Sequence, residues 1–307
     1  MRSIICFIGP TGTGKSVLAI KLAKTVDGEI VNCDSRQVYR YMDIGTAKSS
    51  KGELSQVRHH LIDIADPDEE ISLSQYQKMA YKAIRDIQSR GKVPFLVGGT
   101  GQYFRAVIEG WEVPEVPPDL ELRCRLEARA TAGDTEGLYA ELIKIDPEAA
   151  RRIDRRNIRR VIRALEVFYI RGIPFSQLQV KKSPPFQSFI IGLTTPRQEL
   201  YRTVDLRVDG MLTKGLVAEV QRLLESGYSP ELPSMSGIGY KQIISYLQGK
   251  LLLDEAIKQI KFETHRYIRQ QYAWFRLKDL NIHWFNIQDN VETDIIKIII
   301  DELQNAF

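Results

Sequence analysis

Apolar residues recur along this chain in two rhythms. Unbroken runs at 4–8 (Ile4, Ile5, Cys6, Phe7, Ile8), 29–33, 61–64 and 93–97 read as strands buried on both faces. Between them apolar positions fall three and four apart. Leu73, Tyr76, Met79, Ala80, Ala83, Ile84 and Ile87 predict a helix that Ser72 or Ser74 caps and Gly91 closes. Further runs at 189–193 and 282–285 predict two later strands. Alternation of this kind predicts an α/β fold, a parallel sheet flanked by helices.

The alternation breaks at Pro114-Glu115-Val116-Pro117-Pro118. From Asp119 to about Arg171 only the helical rhythm remains, and Pro184-Pro185 leads back to a strand. An all-helical domain over 113–186 is therefore expected, inserted between core segments 1–112 and 187–307. Beyond Arg197 the pattern is mostly helix, with Met211, Leu212, Leu216, Val220 and Leu223 on one stripe.

The 307 residues, 43% hydrophobic and 27% charged, suffice for a full core and an added domain, and they exclude a disordered chain. No apolar run approaches the roughly 20 residues of a membrane span. The stretch before Gly9 is too short for a secretory leader. Cys6, Cys33 and Cys124 are far apart and form no C-x-x-C pair. Neither a disulfide framework nor structural zinc fits them, so a reducing cytoplasm is expected, with no membrane partner.

Gly9-Pro10-Thr11-Gly12-Thr13-Gly14-Lys15-Ser16 matches G-x-x-x-x-G-K-[ST] between a predicted strand and a predicted helix over 15–26. This makes the sheet P-loop NTPase-like. The glycines allow backbone N–H groups to curl around a polyphosphate, and the helix N-terminus adds partial positive charge. Lys15 reaches the phosphates and the Ser16 hydroxyl is placed to ligate Mg²⁺. Asp34 directly follows the second strand and Gly98-Gly99-Thr100-Gly101 the fourth, so both join the loop at the carboxyl edge of the sheet. From position alone Asp34 reads equally as a helix cap or as an acid near Mg²⁺.

With these residues the chain resembles the tRNA dimethylallyltransferase (tRNA isopentenyltransferase) family, bacterial type, over essentially its whole length. The resemblance rests on the loop at 9–16, Asp-Ser-x-Gln-Val-Tyr at 34–39 and Asp-Ile-Gly-Thr-Ala-Lys at 43–48. It continues with Val-Gly-Gly-Thr-Gly-x-Tyr at 97–103, Arg-Ala-Leu-Glu-Val at 163–167, Ile-Gly-Tyr-Lys at 238–241 and Trp-Phe-Arg at 274–276. It implies that the loop holds the diphosphate of dimethylallyl diphosphate and that Asp34 is the general base, with Thr100 near the reacting centre. Lys15, Mg²⁺ and Arg207 would stabilise the leaving diphosphate. The acceptor it implies is N6 of the adenosine 3′-adjacent to the anticodon of tRNA. A carboxylate suits that acceptor, because the N6 lone pair is delocalised and its proton must leave as the C–N bond forms.

Arg151, Arg152, Arg155, Arg156, Arg159, Arg160 and Arg163 recur at spacings of three and four, opposed only by Asp154 within that run. On one helix they would form two adjacent basic stripes, with Ile153, Val161, Ile162 and Leu165 as the apolar face. A one-sign stripe of this density fits phosphate binding better than a solvated face. Arg123, Arg129, Arg266, Arg269 and Arg276 extend it, interleaved with Tyr267, Tyr272 and Trp274 that serve either RNA or core. The resemblance implies tRNA contacts at Asp34, Ser35, Arg36, Gln37, Thr100, Arg123, Arg159, Arg160, Val161, Ile162, Arg163, Gly239, Tyr240, Lys241, Arg269 and Arg276.

The chain departs from the family pattern at Asp154-Arg155-Arg156-Asn157, where His-Pro-Asn-Asp is common, and at Thr203 and His265, where Arg is common. No zinc-finger extension of the eukaryotic type follows, and a monomer is expected. The adjacent His59 and His60 point to opposite faces of a strand and suit no shared metal. A P-loop kinase for a small molecule would explain 9–16 but neither the arginines nor the later motifs. An adenylate isopentenyltransferase acting on free AMP shares the core chemistry but not the need for a basic insertion.

Overall fold

The computed structural model describes residues 3–112, 116, 119–178 and 180–305. Most of the 114–118 break therefore lies outside the described residues. The chain forms two compact units, one from residues up to Ile108 together with those from Pro184 onward, the other Glu109–Ser183.

The first unit is built on six parallel strands in the order β3-β2-β4-β1-β5-β6. These are β1 (Ser3–Ile8), β2 (Gly28–Cys33), β3 (His59–His60), β4 (Val93–Gly98), β5 (Gln187–Thr194) and β6 (Ile282–Asn286). β1 and β2 are buried at every position, which is why they read as unbroken apolar runs rather than as alternating ones. One face packs α3 (Leu73–Ser89) and α4 (Gly101–Ile108) around Tyr76, Ile84 and Phe104; the other packs α1 (Lys15–Thr25) and α13 (Glu292–Asn305) around Ile20, Leu22, Ile295 and Ile299. Of the two candidate caps for α3, Ser72 accepts Gln75 N–H at 3.2 Å, and the Gln75 side chain returns the bond.

The expected strand at 61–64 is not one. The parallel pairing stops at His60, because Leu61 and Asp63 take φ of +63° and +54°, which no strand accommodates. His59 turns to the Val57 carbonyl, whereas His60 meets buried Glu29 on β2, so the two histidines do serve separate partners.

The stripe from Met211 to Leu223 is shared by two helices, α9 (Arg197–Thr213) and α10 (Leu216–Glu225). Gly215, at φ +97°, breaks the chain between them, and both parts still enter one core with α11 (Tyr240–Leu247) and α12 (Leu253–Trp274).

The second unit is helical: α5 (Leu120–Thr131), α6 (Thr135–Ile145), α7 (Pro147–Arg152) and α8 (Ile158–Arg171), whereas the short helix α2 (Lys51–Leu54) belongs to the first. Its two ends are tied together: Glu112 N–H donates to Val180 O at 2.7 Å and Lys182 N–H to Gly110 O at 2.8 Å. Its core joins Leu126, Leu138, Leu142, Val161, Ile162 and Leu165.

Candidate active site

A cavity of about 550 Å³ opens at the carboxyl edge of the sheet, within the first unit. The phosphate-binding loop, the segments after β2 and β4, and residues of α9 and α12 line it. Gly9 sits so close to β5 that a Cβ would lie 2.3 Å from the Leu193 carbonyl oxygen, and its φ of +137° suits glycine alone. Gly14 ends the loop at φ +73° without a side-chain cap, which leaves the first-turn N–H groups of α1 open to an anion.

Lys15 Nζ folds back onto Pro10 O at 2.7 Å. Burial, aided by the charge of Arg207 and opposed by that of Asp34, pushes its pKa down to about 7. Arg207 reaches the loop from α9, its Nη1 donating to Thr11 Oγ1 at 3.0 Å, and its burial lowers its pKa from the ordinary value. Lys15 and Arg207 thus stand beside the first-turn amides of α1, an arrangement chemically suited to a polyphosphate. Ser16 is exposed at the start of α1. Among the described residues no cluster of three or more His, Cys, Asp or Glu could hold a metal.

Asp34 faces the same cavity. Its Oδ1 accepts the N–H of Arg36 at 2.8 Å and of Gln37 at 3.4 Å, while Oδ2 takes no hydrogen bond from the described residues. One oxygen is thus fixed by backbone and the other remains for a ligand. Thr100 Oγ1 accepts Ser35 N–H at 3.0 Å, which joins the turn after β2 to the turn after β4.

The wall beside Asp34 is held from a distance. Arg36 Nη1 donates to Pro233 O at 2.6 Å, and Gln37 Nε2 to Thr46 O at 3.2 Å. The 43–47 segment is anchored in turn by Glu219, only 3% exposed, which accepts N–H bonds from Asp43 (3.0 Å), Ile44 (2.7 Å) and Gly45 (3.1 Å). The hydroxyl of Tyr240 donates to the same carboxylate at 2.7 Å. Nothing in the local pattern of α10 marks Glu219; the one available signal was its place on an otherwise apolar face.

Of the expected RNA contacts, Gly239 and Tyr240 line the cavity with Ser35, Arg36, Gln37 and Thr100. Tyr240 is 1% exposed and packs in the core against Gly45, so its side chain meets Glu219 rather than solvent; Lys241 beside it is exposed and Gly239 buried. Arg269 and Arg276 are exposed, with Arg269 Nη1 donating to Tyr201 Oη at 3.2 Å. Tyr267 and Trp274 line the cavity, and Tyr272 meets Thr194 Oγ1 at 2.8 Å. His265 holds Asp205 at 2.8 Å and stacks on Tyr201, while Thr203 faces outward, so Arg207 has no second arginine one turn before it.

In the helical unit the arginines do not share one helix. Asp154 bonds the Arg156 N–H and guanidinium, and the chain leaves helical conformation at Ile153 before Asn157 caps α8. Arg151 and Arg152 end α7, Arg155 and Arg156 lie between helices, and only Arg159, Arg160 and Arg163 ride α8. Arg159 and Arg160 are exposed, whereas Val161 and Ile162 are buried in the unit's core and offer no side-chain surface to RNA. Arg123 and Arg163 both pair with Glu166, whose carboxylate is 0% exposed. Opposing charge is therefore greater than Asp154 alone.

A family model described as IPP transferase matches residues 37–278. A tRNA dimethylallyltransferase of Dehalococcoides mccartyi is 50% identical over 299 residues, 97% of this chain and 92% of its own length. One from a Roseiflexus species is 51% identical over 276 residues, 90% of each chain. The full-length tRNA isopentenylpyrophosphate transferase of Bacillus halodurans has a TM-score of 0.74 at 39% identity, covering 100% of this chain and 98% of that one. A eukaryotic dimethylallyltransferase captured acting on tRNA has a TM-score of 0.84 at 29% identity, covering 99% and 80%.

Proposed function

This chain belongs to the IPP transferase family, and we propose that it carries a dimethylallyl group from dimethylallyl diphosphate to N6 of the adenosine 3′-adjacent to the anticodon of tRNA. The observation that carries this reading is the single cavity holding both a polyphosphate loop with Lys15 and Arg207 and a carboxylate, Asp34, with one oxygen unengaged.

In this reaction the C–O bond to diphosphate breaks as the C–N bond forms. Negative charge grows on the leaving oxygens, where Lys15, Arg207 and the open amides of α1 stabilise it. The N6 proton passes to Asp34 Oδ2 and then to solvent, while the Arg36 and Gln37 amides hold Oδ1 in place. Mg²⁺ keeps several of its waters and leans on substrate phosphates, so Ser16 would supply a single hydroxyl oxygen to it and the diphosphate the negative charge. When bound it would neutralise diphosphate charge. Arg159 and Arg160, with Arg269 and Arg276, are the candidate phosphate contacts for tRNA. Asp34, Ser35, Arg36, Gln37 and Thr100 are the candidates beside the target base. Among the described residues no helix is long and apolar enough to cross a membrane.

The test supplies labelled dimethylallyl diphosphate with either unmodified tRNA or AMP, and ATP alone in a third arm. Label entering tRNA but not AMP supports the reading. Label in AMP selects a free-nucleotide prenyltransferase, and phosphoryl transfer from ATP alone selects a kinase.

A further inference from the structure

The phosphate loop and the turn after β4 are adjacent in space but separate in sequence, and one side chain joins them. Gln271, on α12 and 2% exposed, accepts Thr11 N–H on Oε1 at 2.8 Å. Its Nε2 donates to Gly99 O at 3.0 Å. Only one orientation of the amide satisfies both bonds, since the flipped one sets N–H against N–H and oxygen against oxygen. Glutamine is also selected chemically. A carboxylate could accept from Thr11 but not donate to Gly99, and a lysine could donate but not accept. Gly99 permits the approach, for a Cβ there would lie 2.3 Å from Gln271 Nε2.

The bonds continue on each side. Arg207 Nη1 reaches Thr11 Oγ1 on the diphosphate side. On the other, Thr100 follows Gly99 and accepts the N–H of Ser35, which neighbours Asp34. Gln271 is thus the one buried side chain, among the described residues, bonded to both the loop that would hold the leaving group and the turn that would hold the base.

We infer that Gln271 is a positioning residue that sets the separation of the diphosphate-binding loop and the Asp34–Thr100 base-binding turn for the displacement reaction. This rests on the transfer proposed above. A displacement needs the attacking nitrogen and departing oxygen on a line through one carbon, and a misplacement of about 1 Å is enough to slow such a step by roughly 10²-fold. Because the Gln271 side chain bonds Thr11 on one half-site and Gly99 on the other, its removal frees the spacing between them.

The experiment compares wild type with Gln271→Leu, which removes both bonds, and Gln271→Glu, which keeps the shape and the Thr11 bond. Affinity for dimethylallyl diphosphate and for an anticodon stem-loop is measured separately, and the single-turnover rate on the preformed ternary complex. The expected result is a single-turnover rate lowered by roughly 10²-fold in Gln271→Leu and lowered also in Gln271→Glu, where oxygen meets Gly99 O, with both dissociation constants of Gln271→Leu within about threefold of wild type. A rate equal to wild type in both variants overturns the inference. So does a rate loss matched by equal losses of either affinity, which would make Gln271 a support of the fold. If wild type itself transfers no label to RNA, it is the proposed reaction that fails, and the two failures are distinct.

Discussion

Glu166 Oε2 accepts Arg163 Nη1 at 2.6 Å inside the helical unit, and Arg123 Nη2 reaches the same oxygen at 3.0 Å. A carboxylate with no exposed surface is thereby neutralised by two cations that the sequence pattern assigned to RNA. Arg163 also donates to Val116 O at 3.0 Å, so its guanidinium is largely used within the unit. Arg159, one turn earlier, is exposed.

The two arginines are therefore expected to behave differently. Arg159→Ala should lower the slope of log affinity for an anticodon stem-loop against log salt by ~0.7–0.9, with the thermal midpoint unchanged. Arg163→Ala should cost ~1.5–3 kcal/mol of stability, as a buried carboxylate loses a charged hydrogen bond. Salt-titrated binding and thermal melts on both variants check this; equal slopes with equal midpoints would refute it.

Asp34→Asn keeps the shape of the side chain and an oxygen for the Arg36 amide, but removes the proton acceptor. The single-turnover transfer rate should fall by roughly 10²–10⁴-fold, with RNA affinity nearly unchanged. A rate close to wild type would remove Asp34 from the role of base.

Lys15 titrates about pH 7 when the loop holds no anion, because burial and Arg207 disfavour its charge. A bound diphosphate favours the charged form and raises that pKa. Above pH 7, binding should therefore take up protons at Lys15, and affinity should decline as pH rises from there. Calorimetry at pH 8 in two buffers of different ionisation enthalpy counts the protons. Lys15→Arg, charged throughout, should lose that increment. Identical uptake in both proteins would show that Lys15 is not its source.

Glu219→Gln replaces an acceptor of four hydrogen bonds by a group with half that capacity. The 43–47 segment should loosen, and with it the Thr46 carbonyl that orients Gln37. KM for tRNA should rise several-fold while affinity for dimethylallyl diphosphate holds, and stability should fall by ~1.5–3 kcal/mol. Steady-state kinetics with tRNA and direct binding of the diphosphate separate the two substrates. A change confined to the diphosphate would contradict the anchoring role.

The fold class and the phosphate loop were legible in the sequence because their causes are local. Parallel strands buried on both faces need unbroken apolar runs, and 4–8 and 93–97 supply them. The loop at 9–16 is contiguous, so its chemistry is written in one stretch between a strand and a helix. The position of Asp34 just after β2 brought it to the same edge by topology alone.

Periodicity carries no information on backbone sign or on distant partners. Leu61 and Asp63 are apolar and polar in a plausible strand pattern, yet their positive φ ends β3 at His60. The arginines from 151 to 163 keep helical spacing across a break that Asp154 and Asn157 create through side-chain bonds to backbone. Gln271 reaches partners 260 and 172 residues away, and Glu219 partners 174 to 176 residues away. Which buried polar group meets which amide was decided only when the sheet and its flanking helices closed around them. Burial removes water as an alternative partner, and the pairings that remain are those of tertiary packing.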